Sequence, residues 1–240
     1  MNSKMLESLG LKNYISGPDY RLGERVPRDE GRRNIYSALG DMGENPIEIY
    51  SGVQVHGHNI EYCDGMNGEE NFYGRVFPDT DGLITDKKDI ALVIKFADCT
   101  PILLFDPVKR VQVAIHSGWR STVQRISQRG IDRMIRDFGC NIEDIHAYLG
   151  PSIDMANYEV DTDVYDAFRI FESRDQFFQI VGNKFILSMI DSNLSLLLES
   201  GINPSNIEVS RISTFEDERF SSARRDKGKY KLNFMISIIK

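Results

Sequence analysis

The sequence contains few cysteines and no long apolar run, and both absences limit what the protein can be. Its 240 residues include three cysteines, Cys63, Cys99 and Cys140. An odd number at irregular spacing is a poor disulfide framework, so we expect free thiols in a reducing compartment. No apolar stretch approaches the roughly 18 residues of a membrane helix, and the N-terminal residues have no signal-peptide core. The sequence therefore predicts a cytoplasmic protein with no membrane partner.

The chain also lacks an excess of basic charge. The chain carries 29 Lys and Arg against 36 Asp and Glu, a net charge of −7, and its pI is about 5.2. Such a chain repels a phosphate backbone at long range, so nucleic acid is not an expected partner. No glycine-rich nucleotide cradle of the Rossmann or P-loop type occurs. An apolar content of 41% is enough for one substantial core, and we expect residues 1–240 to form a single domain.

Residues 17–34 are rich in glycine, proline and charge and lack an apolar period. This composition predicts an extended loop or irregular strand, followed by a short helix near 34–40. Five arginines lie in the segment. Two interpretations are open: a solvated loop, or a loop that supplies Arg21 or Arg25 to an anionic ligand.

Strand patterns dominate the middle of the chain, and helical patterns follow them. Apolar and polar residues alternate around 47–55, and "GLITDKKDIALVIKFADC" (82–99) predicts one short and one longer strand. The remaining predicted elements are helices at 121–139, 161–171 and 185–202 and short strands at 145–149 and 207–212. Because helices do not alternate regularly with strands, the predicted class is α+β with mostly antiparallel pairing.

The segment "FADCTPILLFDPVKRVQVAIHSGWR" (96–120) is typical of a β-hairpin, with a chemically reactive residue near each end. If Pro107 and Val108 form a two-residue turn, the antiparallel register places Cys99 opposite His116. Opposed β-carbons lie about 4.5–5.5 Å apart. This separation suits a shared zinc ion or a Cys–His nucleophile pair. Ordinary buried residues are the third alternative.

A further metal ligand is available in "QVHGH" (54–58). If the strand stays regular through Gly57, the side chains of Gln54, His56 and His58 share one face. Spacing alone does not choose between the two histidines, and both can be simple structural residues.

Six blocks of the sequence, taken in order, form a pattern more specific than any one motif. They are "QVHG" (54–57), "TDGLIT" (80–85), "ADCTPILLFDP" (97–107), "AIHSGWRSTVQRI" (114–126), "GPSIDMANYEV" (150–160) and "TFEDERFSSARRD" (214–226). This pattern resembles the laccase-domain family, also called multicopper polyphenol oxidase-like and now regarded as purine nucleoside phosphorylases. The resemblance implies a single-domain, YfiH-like fold of stacked β layers flanked by helices, similar to that of bacterial toxin deamidases. It also implies a catalytic zinc ion held by His56, Cys99 and His116, with a fourth coordination position open.

The activity that the resemblance implies is phosphorolysis of purine nucleosides (adenosine, inosine, guanosine and methylthioadenosine), with adenosine deamination as a second reaction. Arg120 is the candidate for binding phosphate in bidentate fashion, and its alternative is an ion pair with Asp98 or Asp106. Gln54 and Asp98 are candidates for orienting the metal ligands, or they bond the backbone. Tyr158 is a candidate for positioning substrate.

Other chemistries are open as well. Cys99 can act as a nucleophile, with His116 as its base, in a hydrolase or deamidase. Copper-dependent oxidation of phenols, the family's older assignment, needs more His and Met ligands than this set supplies, and the chain has four histidines. A partner-binding protein that retains a metal site is the non-enzymatic alternative. The sequence departs from the family pattern at Ser213 and in "KGKYKLNF" (227–234), which leaves the choice of substrate undetermined.

Overall fold

The computed structural model describes residues 1–240 and contains fifteen β-strands and seven α-helices. The strands are β1 (Leu11–Ile15), β2 (Glu48–Gly52), β3 (Ile60–Tyr62), β4 (Glu69–Asn71), β5 (Gly74–Phe77), β6 (Gly82–Thr85), β7 (Ile90–Phe96), β8 (Thr100–Asp106), β9 (Val111–Ser117), β10 (His146–Leu149), β11 (Glu159–Val160), β12 (Phe178–Val181), β13 (Lys184–Leu187), β14 (Ile207–Val209) and β15 (Asn233–Ile239). The helices are α1 (Lys4–Ser8), α2 (Arg28–Asp41), α3 (Trp119–Val123), α4 (Ile126–Phe138), α5 (Thr162–Ala167), α6 (Met189–Glu199) and α7 (Ala223–Asp226). None of these helices has both the length and the apolar character that crossing a bilayer requires.

The strands form two six-stranded sheets and one three-stranded sheet. The first sheet has the order β1-β15-β7-β2-β5-β4, the second has the order β14-β10-β8-β9-β6-β3, and the small sheet has the order β11-β13-β12. Eight of the twelve strand pairings are antiparallel. The predicted α+β class with stacked, mostly antiparallel layers is confirmed.

The two large sheets pack face to face, and helices cover their outer faces. Alternate residues of β8 show the arrangement: Leu103 and Phe105 join a core cluster with residues of the first sheet, whereas Ile102 and Leu104 pack with α4 and α6. On the far side, Ile35 of α2 packs against the first sheet. Because both faces of β8 are covered, its sequence is continuously apolar rather than alternating.

The hairpin register differs from the predicted one. Asp106 pairs with Val111, so the loop holds four residues rather than two, and His116 pairs with Pro101 instead of Cys99. The reason is local, because the Asp106 carboxylate accepts the backbone N–H groups of Val108 and Lys109 at 2.8 and 2.9 Å and stabilises the wider loop. Cys99 therefore lies just outside β8, diagonal to His116.

Other segment predictions were wrong in part; the helix predicted over 185–202, for example, begins only at Met189, and Lys184–Leu187 form β13. The strand expected to run through 54–58 ends at Gly52, and residues 53–59 form a loop in which His56 has φ 61°. The loop expected over 17–34 gives way at Arg28 to α2, whose N-cap is Pro27. Proline is compatible with a helix start, where its missing N–H costs nothing. The helical region 121–139 is also divided, because Arg125 adopts a left-handed conformation between α3 and α4.

We expect Gly52→Ala to destabilise the fold where β2 leads into the loop that carries His56. A methyl group at Gly52 would lie 2.1 Å from the carbonyl oxygen of Thr80, and neither backbone segment can move freely. The loss should be about 1–3 kcal/mol or more, measured by urea unfolding. Gly40→Ala is the matched control, since α2 has open space there, and helix propensity should stabilise it by about 0.5–1 kcal/mol. Equal stability of the two variants would contradict this close contact.

Candidate metal centre

Three side chains converge at one end of the two large sheets. His56 comes from the loop after β2, Cys99 from the turn between β7 and β8, and His116 from β9. A nitrogen of each imidazole and the Cys99 sulfur all lie within 4.8 Å of one another. The His56 and His116 rings meet edge to face, with centroids 4.9 Å apart. His116 is buried, Cys99 is half-buried and His56 is exposed, so the group opens toward solvent on one side.

Unusual backbone conformations bring these residues together. Both His56 (φ 61°) and Asp98 (φ 83°) lie in the left-handed region, which non-glycine residues seldom occupy. The first turns the loop after β2 back toward β9, and the second reverses the chain between β7 and β8 at the residue before Cys99. Such conformations persist only where surrounding contacts enforce them.

Asp81 supplies the contact that enforces the His56 loop. Its buried carboxylate accepts the backbone N–H groups of Val55, His56 and Gly57 at 3.1, 3.0 and 2.7 Å. The same carboxylate lies 2.8 Å from Nδ1 of His116. A carboxylate on Nδ1 leaves Nε2 of His116 free as a ligand and makes it more basic. Our sequence analysis assigned Asp81 no role, although the block "TDGLIT" contains it.

The electrostatics of the group favour a thiolate. Burial acts to raise the pKa of Cys99, but the His116 and His56 imidazoles outweigh burial and lower it to about 6. Burial likewise acts to lower the pKa of His116, yet the Cys99 thiolate and the Asp81 carboxylate raise it to about 9. In the metal-free protein, these opposite shifts favour the thiolate–imidazolium form of the pair.

Gly118 leaves the space that the ligands need. A methyl group at this position would lie 2.7 Å from Cδ2 of His56 and 3.0 Å from Sγ of Cys99. Glycine is required here by close approach rather than by backbone conformation, since its φ of −80° is open to any residue. The motif "HSGW" thus combines a ligand with the gap in which the other two ligands sit.

Gln54 and Asp98 contact backbone and hydroxyl groups rather than the imidazole rings. The amide of Gln54 pairs with the backbone N–H and C=O of Lys95 at 2.9 and 2.7 Å, which ties the His56 loop to β7. The Asp98 carboxylate accepts the Thr214 hydroxyl and the Arg224 N–H, both at 2.7 Å. For both residues the geometry matches the backbone-bonding alternative more closely than a direct contact with a ligand.

Tyr158 lies near both Cys99 and Arg120, and we call this part of the centre the Cys99 side. Arg120 is exposed, and its guanidinium carbon lies 4.1 Å from the centroid of the Trp119 ring. It forms no ion pair with Asp98 or Asp106, so that alternative was wrong; those carboxylates bond the groups named above. Tyr158 is half-buried, and burial together with the Cys99 charge raises its pKa, which keeps the phenol protonated.

A cavity of about 870 Å³ adjoins the centre on the other side. His56 and His116 line it, and Cys99 does not. Of the two arginines considered for an anionic ligand, Arg25 lines this cavity. Arg21 instead is buried and donates to the backbone carbonyl of Arg219 at 2.7 Å. His58, the other histidine of "QVHGH", contacts the Gln124 amide and is not part of the metal-ligand group.

The donor set fits a metal ion of the zinc type. Two imidazole nitrogens and one thiolate match the ligands that zinc prefers, and three protein ligands leave one tetrahedral position for substrate or solvent. The three donor atoms are close enough to share one ion, and the thiolate that coordination requires is already favoured.

Two relatives named purine nucleoside phosphorylase are similar to this chain in sequence. Purine nucleoside phosphorylase YlmD of Bacillus subtilis is 37% identical over 153 residues, which are 62% of this chain and 55% of the relative. A purine nucleoside phosphorylase of Deinococcus radiodurans is 34% identical over 211 residues, 88% of this chain and 76% of the relative. The match therefore spans little more than half of the Bacillus protein and about three quarters of the other.

Solved structures share the fold. The hypothetical protein YfiH of Bacillus licheniformis superposes with a TM-score of 0.86 at 29% identity, covering 96% of this chain and 91% of that one. YlmD from Geobacillus stearothermophilus gives 0.82 at 25% identity, covering 96% and 90%. Residues 27–239 match the family model described as multi-copper polyphenol oxidoreductase laccase. The chain therefore belongs to that laccase-domain family, as its six sequence blocks predicted.

Proposed function

We propose that the protein is a zinc-dependent purine nucleoside phosphorylase that acts on adenosine, inosine, guanosine and methylthioadenosine. One observation carries the proposal: His56, Cys99 and His116 offer three donor atoms within 4.8 Å of one another beside a cavity of about 870 Å³. The names of the Bacillus and Deinococcus relatives support the substrate class. A cavity of this size accommodates a nucleoside.

The reaction places defined demands on the chain. In phosphorolysis a phosphate oxygen forms a bond to C1′ of the ribose, the bond from C1′ to the purine nitrogen breaks, and the departing purine takes up a proton. His56, Cys99 and His116 would hold the zinc ion, which would supply a Lewis acid to polarise a substrate atom. The protein must hold the phosphate in line with C1′ and offer hydrogen-bond donors to the purine.

Several residues suit these tasks. Asp81 orients His116 and holds the loop of His56, so the ligand geometry is set before substrate arrives. Tyr158, which stays protonated, can donate a hydrogen bond to substrate on the Cys99 side. Arg120 retains its role as the phosphate candidate from the sequence, because its exposed guanidinium has no carboxylate partner.

Adenosine deamination is the second reaction we propose for this site. It replaces the amino group at C6 of the purine by the oxygen of water and releases ammonia. The two reactions have different products from adenosine: adenine with ribose 1-phosphate, or inosine. Both reactions in sequence yield hypoxanthine, and only the glycosidic cleavage needs phosphate.

Zinc suits this chain better than a multicopper centre does. Oxygen-reducing copper centres use more histidine ligands than one His-Cys-His group. The two histidines outside the group have other contacts, since His58 contacts Gln124 and Nδ1 of His146 lies 3.0 Å from the Asp144 carbonyl. Phenol oxidation therefore lacks a second set of ligands.

A second candidate function rests on one specific arrangement. The contacts run from the Cys99 thiolate to His116 and on to the Asp81 carboxylate. This is the order of a nucleophile, the histidine that takes its proton and the carboxylate that orients the histidine. This order suits a cysteine hydrolase or deamidase. The third donor, His56, has no task in such a triad, which favours the metal over the nucleophile.

We expect Cys99→Ala to abolish metal binding and turnover. The purified protein should carry about one zinc per chain. Removal of the thiolate leaves two imidazole ligands, which are too few to hold the ion. Metal analysis and product identification with adenosine, with and without phosphate, check both outcomes. Cys140→Ala is the control, because Cys140 lies in the core cluster between the second sheet and its helices. Full zinc occupancy and normal turnover in the Cys99 variant would refute the assignment.

Asp81→Asn should weaken metal binding by about 10–100-fold, the usual effect of removing a carboxylate that orients a histidine ligand. The neutral amide lacks the negative charge that favours a proton on Nδ1 of His116. Its NH₂ group also replaces an oxygen that accepts hydrogen bonds from the loop N–H groups. Chelator competition measures the affinity, and circular dichroism confirms that the variant is folded. Asp86→Asn, at a half-exposed tyrosine contact away from the centre, provides the control. Unchanged affinity would contradict a role for Asp81 in positioning either histidine ligand.

In metal-free protein, iodoacetamide should react with Cys99 at a rate that rises with pH around a midpoint of about 6. The other two thiols should stay unreactive, because burial raises the pKa of both Cys63 and Cys140, the latter to about 12. Bound zinc should protect Cys99 from alkylation.

The hydrolase alternative requires instead that chelators leave activity intact while alkylation removes it. Inhibition by a chelator, reversed by added zinc, would eliminate that alternative.

A further inference from the structure

We propose that Lys95, together with Arg25 and Arg28, forms a binding site for a phosphate group in the cavity beside His56 and His116. The catalytic role of that phosphate rests on the proposed function. The binding site itself is inferred from the cavity and from the charged residues that line it. The site is an alternative to Arg120, the phosphate candidate from the sequence, which does not line this cavity.

Lys95 lines this cavity and has no counter-ion within salt-bridge distance. It is the residue before the last of β7 and is half-buried, and its Nζ donates to the neutral carbonyl of Gly52 at 2.9 Å. The nearest acid that acts on it, Asp81, is already occupied by His116 and three loop N–H groups. An ammonium taken out of water is costly unless an anion compensates it. Burial accordingly lowers the pKa of Lys95 below its ordinary value, and Asp81 opposes this only in part.

Two arginines extend the positive charge toward solvent. Arg25 and Arg28 are exposed, line the same cavity, and neither takes part in an ion pair or a side-chain hydrogen bond, so their guanidinium groups are available. Glu24 is the one carboxylate in the lining, against the lysine and the two arginines. The whole chain has a net charge of −7, so this concentration of cations is opposite in sign to the rest of the protein. A cleft of one sign raises the local concentration of ligands of the other sign.

The shape and the remaining walls of the cavity identify the class of anion. Guanidinium and ammonium groups together are the usual ligands of phosphate oxygens. The half-buried aromatic residues Phe72 and Tyr230 line the same space and can offer flat apolar surface to a base or sugar. About 870 Å³ is far more than a single phosphate fills. The phosphate group can therefore be inorganic phosphate beside a nucleoside, or a phosphate ester carried by the nucleoside itself.

The test is direct binding of inorganic phosphate to the full-length protein by isothermal titration calorimetry. Lys95→Met should weaken binding by about tenfold or more, the loss expected for a charged hydrogen bond. Lys95→Arg, which keeps the charge, should retain most of the affinity. Arg25→Gln should also weaken binding, and it tests the site independently of the fold because Arg25 is exposed. Lys88→Met is the matched control, since Lys88 precedes β7 at its other end, about 20 Å away along the strand.

A second titration with adenosine 5′-monophosphate separates the two sources of the phosphate group. Tighter binding of the ester than of phosphate, lost in Lys95→Met, supports the site and identifies the ligand as a nucleotide. Lysine-dependent binding of inorganic phosphate supports the site with phosphate as the co-substrate. Binding that is lost in Arg120→Gln and unchanged in Lys95→Met would overturn the inference, because the anion would then lie on the Cys99 side. The absence of binding by both anions would overturn it as well.

Failure of this inference and failure of the proposed function give different results. If the protein cleaves nucleosides with phosphate but Lys95→Met leaves the KM for phosphate unchanged, the phosphorylase assignment stands and the Lys95 site does not. If phosphate binds in a Lys95-dependent manner and no nucleoside is cleaved, the site stands and the phosphorylase assignment does not.

Discussion

The buried carboxylate of Asp81 joins the parts of the candidate site that come from different sheets. One of its oxygens lies 2.8 Å from Nδ1 of His116 on β9, and the carboxylate also accepts three N–H groups of the loop that follows β2. These hydrogen bonds compensate the cost of burying a negative charge, and they lower the pKa of Asp81 although burial alone acts to raise it. Without this carboxylate, the left-handed conformation of His56 and the orientation of His116 would both lack support.

The same atoms explain why two chemistries compete for this site. A thiolate beside an imidazolium that a carboxylate orients is a nucleophile pair in one protein and two ligands of a metal in another. The electrostatics do not separate the two functions, because both need a Cys99 pKa well below that of a free thiol. What separates them is His56, which reaches the pair from a third segment and has a use only if an ion is shared. Gly118 preserves the space for that third ligand.

Charge is distributed unevenly around this centre. The chain is acidic overall, yet Lys95, Arg25 and Arg28 line the cavity beside His56 and His116, and Lys95 is half-buried without an acidic partner. On the Cys99 side, the Arg120 guanidinium lies over the Trp119 ring and the Arg224 guanidinium lies over the Tyr158 ring. A nucleoside and a phosphate have different charges and different apolar surface, and a site with two unlike sides can hold both against one metal ion.

The sequence by itself determined the α+β class, most strands and the family, because periodicity reports which face of an element is buried and six ordered blocks seldom recur by chance. It also indicated Cys99 and His116, although through a register that was wrong: the Asp106 side chain stabilises a four-residue loop, and no apolar pattern encodes that bond. Only the tertiary structure decided between His56 and His58 on geometric grounds, since the choice depends on a positive φ that Asp81 enforces from 25 residues away in the chain. The sequence did not indicate Lys95 as a ligand-binding residue either. A lysine within a strand becomes a candidate only when the fold places it beside a cavity and away from acidic residues.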